Sequence, residues 1–384
     1  MSMSIEMKKF KIEAKAANAR SGLLITLHGE VRTPVFCPVG TAGAVRGVEP
    51  LFLKQAGCSL ILANTYHLIL RPGIETVERL GGIHKFMAWD GPILTDSGGY
   101  QVLSLSGLVK INDEAIEFAS HIDGKRIILD AQKAVEIQNR IGADIIMCLD
   151  QCPPCPADSN TLKTAVERTL RWAAESKQAH KKTEQMLFGI VQGGTDTHLR
   201  TFCTEKLVEM DFDGYAVGGL GIGEGHEEMI KTLSTTVPLL PEDKPRYLMG
   251  VGMPAGIIAA VKNGIDIFDC VLPTRNGRNA FAFTEDGPLH LRNNAHINDP
   301  APIEKGCDCY CCQNFSRGTV RHYFNSGEML GPILVSLHNI RFFQRLMVEI
   351  RHRIEKGEFA AWAEEKERKY NLSYNSKNQD TKKD

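Results

Sequence analysis

A short apolar, β-branched run that ends in small or polar residues and leads into a helical pattern recurs eight times along this chain. The runs are residues 33–41, 58–67, 91–101, 143–152, 186–194, 212–224, 245–254 and 264–275. They are near-continuous in apolar residues, as expected of parallel strands buried on both faces. Between most of them lie stretches with apolar residues at helical spacing, at 130–141, 161–180, 195–210 and 225–236. Ser159 and Asn160 stand as N-caps for the second of these. Strand–helix alternation repeated eight times predicts a (β/α)8 barrel. A doubly wound open sheet would alternate too, but its first strand would lead into a glycine-rich phosphate loop, and none stands there.

Several segments break the rhythm. Residues 8–34 read as short strands with turns at Ala17-Asn18 and Gly29, a small N-terminal sheet. Residues 108–129 carry Asp123-Gly124, a hairpin signal between apolar runs, and read as a hairpin insertion after the third barrel strand. The expected organisation is therefore a barrel over 1–275 with these two additions. A loop-rich, cysteine-bearing subdomain follows over 276–338. A long helix over 339–370 then packs on the barrel, and a flexible polar tail closes the chain over 371–384.

Composition narrows the class. The 384 residues are 43% apolar and 24% charged, ordinary values for a globular chain with a sizeable core. They exclude a mainly disordered, collagenous or coiled-coil protein. No apolar run approaches the ~18 residues of a membrane span, and residues 1–15 have no apolar signal core, so the expected address is the cytoplasm with no membrane partner. With 45 basic and 46 acidic residues the net charge is −1, so any nucleic-acid binding needs a local patch.

Eleven cysteines in such a chain are more readily thiols or metal ligands than disulfides. Cys307, Cys309 and Cys312, followed 26 positions later by His338, offer three thiolates and one imidazole. That set suits a closed, structural tetrahedral zinc site, which would organise a stretch poor in apolar residues. Cys311 is a spare thiol and His322 a weaker alternative to His338. Cys152 and Cys155 form a Cys-x-x-Cys pair, but two intervening prolines and a barrel-strand context favour a pocket-shaping loop over a redox motif.

In a (β/α)8 barrel the chemistry belongs at the C-terminal ends of the strands. Those ends bring three aspartates to one rim: Asp96, Asp150 and Asp269. Two carboxylates flanking a substrate suit glycosidic chemistry, one attacking or stabilising an anomeric carbon while the other moves a proton. A third carboxylate beside the Gln192 amide suits a base with N–H donors and a carbonyl. Glycine runs such as 218–223 let the backbone approach a flat ligand. Tyr100 and Met249 could cover its faces, and Arg275 and Arg278 could hold phosphates or bases. Each has a blander reading, as a helix cap, a core residue or a surface charge; their convergence on one rim is what favours the site.

At these residues the chain resembles the tRNA-guanine transglycosylases of the bacterial type. The resemblance lies in TDSGGYQ (95–101), GGLGIGE (218–224), YLMGVGMP (247–254), GIDIFDCVLPTRNGR (264–278) and the Cys307, Cys309, Cys312 and His338 set, in order over about residues 8–365. It implies an irregular (β/α)8 TIM barrel with an attached zinc-binding subdomain near the C-terminus. It implies exchange of guanine at wobble position 34 of tRNAs with a G-U-N anticodon (Asp, Asn, His and Tyr) for preQ1, a 7-aminomethyl-7-deazaguanine, a step toward queuosine. Queuine is the alternative incoming base.

By the same resemblance Asp269 is the nucleophile at ribose C1′ and Asp96 the acid/base. Ser97, Asp150, Cys152, Gln192, Gly219 and Leu220 read the base edge, and Tyr100 and Met249 sandwich it. Thr274, Arg275, Asn276, Gly277 and Arg278 contact the anticodon loop. The implied partners are tRNA, the free 7-deazaguanine base and a second copy in a homodimer. One structural Zn2+ per subunit is implied, with no organic cofactor. The chain departs from the family pattern at Gln151, where an acidic residue is usual, at residues 153–156, and at Gly221, where Ala or Ser is expected. Ile222 is bulky, which favours a small 7-substituent. A non-catalytic tRNA-binding homologue has no need of Asp96 and Asp269. A free-nucleoside hydrolase leaves the cysteine cluster and residues 274–278 unexplained.

Overall fold

The computed structural model describes residues 9–105 and 109–376. Residues 1–8, 106–108 (with the first residue of the expected 108–129 insertion) and 377–384 (the end of the expected polar tail) lie outside the described residues. Three antiparallel strands open the fold: β1 (Phe10–Ala16), β2 (Ala19–Thr26) and β3 (Gly29–Thr33), turning at Ala17-Asn18 and at Leu27-His28, so that Gly29 opens the third strand rather than forming the turn.

The barrel strands are β4 (Val35–Gly40), β5 (Ile61–Ala63), β6 (Ile93–Thr95), β10 (Ile145–Met147), β11 (Met186–Val191), β12 (Gly214–Val217), β13 (Arg246–Leu248) and β14 (Ile267–Cys270). All pair in parallel, and β14 closes on β4 with Ile267 opposite Val35. The apolar runs are strands for the reason their pattern suggests: β11 reads Met-Leu-Phe-Gly-Ile-Val and every residue in it is buried.

The intervening strands β7 (Val109–Ile111), β8 (Ala115–Ala119) and β9 (Arg126–Asp130) form a separate antiparallel sheet. The insertion is thus three strands rather than one hairpin. The extra strand turns at Asn112, whose side chain accepts from the Glu114 and Ala115 N–H groups. The helix Ser159–Ala179 is capped by Asp158 rather than Ser159 or Asn160, because the Asp158 carboxylate accepts from the N–H groups of Asn160 and Thr161.

After β14 the chain forms a short helix, Leu272–Arg278, where the sequence reads as strand end and loop; Pro273 sits at its first turn. Strands β15 (Phe281–Thr284) and β16 (Gly287–His290) then pair as a hairpin. Helices Tyr310–Asn314 and Arg317–Asn325 follow. Ala282, Leu291, Ile303, Val320, Phe324 and the four clustered cysteines form a second, smaller core apart from the barrel core.

The expected single C-terminal helix is two helices, Leu330–Glu355 and Phe359–Ser376, so His338 lies inside a helix and residues 371–376 are helical. The break falls at Gly357, whose φ of 72° ends the first helix in a left-handed turn while the Glu358 N–H bonds the Arg353 carbonyl. The first helix packs along the barrel. Phe343 stacks on Phe36 at 4.5 Å, and the Gln344 amide donates to the Phe36 carbonyl at 2.9 Å.

Candidate active site and metal centre

The C-terminal ends of the barrel strands enclose a cleft of about 370 Å³. Asp96, Asp150 and Asp269 all line it, together with Ser97, Tyr100, Cys152, Gln192, Gly219, Leu220, Met249 and Arg275. The barrel therefore brings together the residues that lie far apart in the chain.

Asp269 sits on β14. Its Oδ1 accepts from the Tyr247 hydroxyl at 2.6 Å and from the Gly250 N–H at 2.8 Å, while its second oxygen accepts no hydrogen bond among the described residues. Burial raises its pKa above the usual carboxylate range, partly opposed by those two donors. Asp96 follows β6. Its Oδ1 accepts from the Thr65 N–H at 2.8 Å and its Oδ2 from the Asn64 amide, which also caps the helix Thr65–Leu70. Burial, with the nearby charges of Asp269 and Asp150, pushes the Asp96 pKa up to about 7 against the opposing backbone bonds. Asp96 is thus poised to give or take a proton near neutrality.

Asp150 lies just beyond β10. Its Oδ1 accepts from the Ser97 hydroxyl at 3.0 Å and its Oδ2 from the Gln192 amide at 2.7 Å. Burial raises its pKa, and both donors lower it. The Gln192 carbonyl oxygen is buried without a hydrogen-bond partner and faces Gly219, where a Cβ would stand 2.6 Å from it. The Gly219 φ of 67° adds a second demand for glycine. Tyr100 is 46% exposed at the mouth and Met249 is half-buried. The Glu224 carboxylate clasps the loop beyond Gly219 by accepting from the N–H groups of Gly221, Ile222 and Gly223.

Cys152 is buried, and burial pushes its pKa up to about 12, so it is a thiol and no nucleophile. Of the five residues expected to touch the anticodon loop, Thr274 and Gly277 are buried. Gly277 packs so closely on the helix Leu330–Glu355 that a Cβ there would come within 2.7 Å of Ser336. The helical turn, which an extended loop would lack, places them on the packing face and leaves Arg275, Asn276 and Arg278 on the other. Arg275 and Arg278 form no ion pair among the described residues. Burial and the like charges of Arg46 and Arg275 lower the Arg278 pKa.

Sequence reasoning gave no role to Asn64, Tyr247 or Arg200. Tyr247 stands inside the quoted YLMGVGMP motif, and Asn64 at a strand end just before a helix, so both positions carried a signal.

At the second site the sulfurs of Cys307, Cys309 and Cys312 and the His338 Nδ1 lie within 4.8 Å of one another. The sulfurs stand 3.7, 3.6 and 3.3 Å from Nδ1. Tetrahedral ligands at ordinary zinc bond lengths would be about 3.6 Å apart, so the donor set fits such an ion. The His338 Nε2 donates to the Phe283 carbonyl at 2.8 Å, which leaves Nδ1 free to ligate. Cys311 and His322 are outside the set.

The fold and the carboxylate-lined cleft define a (β/α)8-barrel enzyme with an appended Cys3His cluster able to hold a metal ion. The model of the queuine tRNA-ribosyltransferase family matches residues 15–372, and the chain belongs to this family of tRNA-guanine transglycosylases. It is similar to the queuine tRNA-ribosyltransferase of Zymomonas mobilis, at 48% identity over 94% of this chain and 95% of that one. The same-named protein of a Thermus thermophilus strain is 49% identical over 93% of each chain. That of Thermoanaerobacter pseudethanolicus is 49% identical over 92% of this chain and 94% of its own. No helix among the described residues is long and apolar enough to cross a membrane.

Proposed function

We propose that the chain exchanges guanine at wobble position 34 of G-U-N tRNAs for preQ1 through a covalent Asp269–ribose intermediate. The observation that carries this reading is the Asp269 oxygen without a hydrogen-bond partner among the described residues, in the same cleft as the buried Asp96, whose pKa is held near 7. Asp269 attacks ribose C1′ and forms a C1′–O bond as the C1′–N9 bond breaks. Asp96 gives its proton to the departing guanine. The incoming base then loses its N9 proton to Asp96, N9 attacks C1′, and Asp269 leaves. One glycosidic bond replaces another, so no organic cofactor is needed.

Asp150 accepts from the N–H groups of the base, and Ser97 and Gln192 orient it. The Gly219 N–H makes no hydrogen bond among the described residues and is the donor for the base carbonyl. Leu220 completes the edge, with Tyr100 and Met249 on the faces and Cys152 in the wall. Arg275, Asn276 and Arg278 receive the anticodon loop, with Thr274 and Gly277 seating their helix. The mutual repulsion of Arg275, Arg278 and Arg46 is relieved by a phosphate. The Cys3His set takes one structural Zn2+, whose four protein ligands leave no open catalytic position. We assign the enzyme to the cytoplasm as a homodimer.

Ile222 lines the cleft and favours aminomethyl over the larger queuine substituent. The test is exchange of radiolabelled guanine into unmodified tRNA carrying a G-U-N anticodon, with preQ1 and queuine as competitors. Incorporation that requires G34 and is blocked best by preQ1 is expected. Absent incorporation overturns the reading, and stronger competition by queuine overturns the choice of base.

A further inference from the structure

Arg200 is a fully buried cation with no carboxylate within 4 Å among the described residues. A buried charge is ordinarily paired, because leaving water is costly. The Arg200 guanidinium instead spends its fork on backbone carbonyls at the ends of two adjacent barrel strands. Nε donates to Gly194 at 2.7 Å, Nη1 to Val191 at 2.9 Å and Nη2 to Gly218 at 2.8 Å. It sits behind the cleft: a Cβ on Gly219 would stand 3.7 Å from Nη2 and 2.6 Å from the Gln192 oxygen.

Gly218 and Gly219 share one peptide, so the carbonyl that Arg200 holds and the unbonded Gly219 N–H belong to the same planar unit. A charge-assisted bond to the carbonyl fixes the orientation of that unit and makes its N–H a stronger donor.

We propose that Arg200 is a positioning residue that turns the Gly218–Gly219 peptide so that its N–H reads the carbonyl of the base. It also places a positive charge behind that carbonyl. When the glycosidic C–N bond breaks, its electron pair remains on the base and spreads to the carbonyl oxygen, where this charge favours it. The inference rests on the base-exchange reading above and assigns one of its determinants of base specificity.

The test is equilibrium dialysis of the full chain against radiolabelled guanine, hypoxanthine and 2-aminopurine. Hypoxanthine keeps the carbonyl and lacks the 2-amino group; 2-aminopurine does the reverse. In Arg200→Met the guanine and hypoxanthine Kd values are expected to rise together by about tenfold, while that of 2-aminopurine changes less than about twofold. Arg200→Lys keeps the charge but not the fork and is expected to show the same pattern more weakly; it carries the test if the Met variant does not fold. Equal losses for all three bases would show a merely structural role and overturn the proposal, as would unchanged preference for guanine over 2-aminopurine. A wild-type chain that binds none of the bases overturns the base-exchange reading itself.

Discussion

Asp96 is buried and Asp269 half-buried, and their surroundings differ. Asp269 has one oxygen held by Tyr247 and Gly250 and one that accepts no hydrogen bond among the described residues, as the proposed nucleophile requires. Asn64 and Thr65 engage both oxygens of Asp96, which shares the field of two other carboxylates. Asp269→Asn is therefore expected to lower guanine exchange by at least ~10³-fold, with tRNA binding retained in a gel-shift assay. A variant that still exchanges would remove Asp269 as nucleophile. The pH profile follows from Asp96. Its folded pKa of about 7 lies above its unfolded value. Its proton thus adds stability at acid pH that is lost as pH rises through about 7. Guanine release, which needs that proton, is expected to slow above about 7, and a pre-steady-state release rate flat from pH 6 to 9 would contradict the assignment. The aspartates were legible in the sequence because a barrel gathers its strand ends, so reading each strand end reads the site. Arg200 was not: its partners are backbone carbonyls at and beyond strand ends, and apolar periodicity carries no record of backbone hydrogen bonds.

At the scale of elements, helix boundaries depend on single turns. Apolar spacing runs on through Gly357, so a continuous helix was the natural reading; the left-handed glycine interrupts it without interrupting the pattern. The helix Leu272–Arg278 was hidden for a related reason, being too short for periodicity to reveal. Its place is set by contact: Asn339 on the long helix donates to the Pro273 and Phe281 carbonyls at 3.0 and 2.9 Å and accepts from the Phe283 N–H at 2.8 Å. Gly277→Ala puts a methyl into Ser336, and the misfit should cost about 1–3 kcal/mol. A lower Tm is expected, with a raised KM for tRNA because Arg275 and Arg278 shift together; free-base binding should not change. An unaltered KM would show that this helix does not seat the anticodon loop. His338 lies one residue before Asn339, so the Cys3His cluster and the helix contact share a support. Removal of the ion with a chelator, or Cys312→Ala, is expected to lower the Tm and reduce metal content from about one ion per chain. Full stability in a metal-free chain would exclude a structural role.

Over the whole molecule, the two ends of the barrel are held by different means. The catalytic end carries carboxyls whose pKa values burial raises. At the opposite end, buried carboxylates with several donors tie the N-terminal sheet to the barrel. Asp266 binds Arg20 of β2, with Nε to Oδ1 at 2.8 Å, and accepts from the Arg246 N–H at 2.7 Å. Asp144, just before β10, accepts from the N–H groups of His28 and Ile93 at 3.0 and 2.8 Å. The His28 Nδ1 and His84 Nε2 stand 2.9 and 3.0 Å from its two oxygens. These three side chains bring ligand atoms within 4.8 Å, but the two imidazoles stack 3.6 Å apart at 21°. One ion cannot lie in both ring planes, so the arrangement is a carboxylate saturated by four donors rather than a metal site. Burial opposes the charge of Asp144, yet the hydrogen bonds from His84, Ile93 and His28 win, and its pKa falls below the usual value. A folded pKa below the unfolded one gives stability that is present above the unfolded pKa and lost as pH falls through the folded one. Asp144→Asn leaves two donors facing an amide nitrogen, which should cost about 3 kcal/mol at neutral pH. The Tm gap between wild type and variant is expected to be widest near neutrality and to close as the pH falls below the carboxylate range. A gap that persists undiminished in acid would mean that Asp144 acts through its shape and packing, and that charge does not join the N-terminal sheet to the barrel.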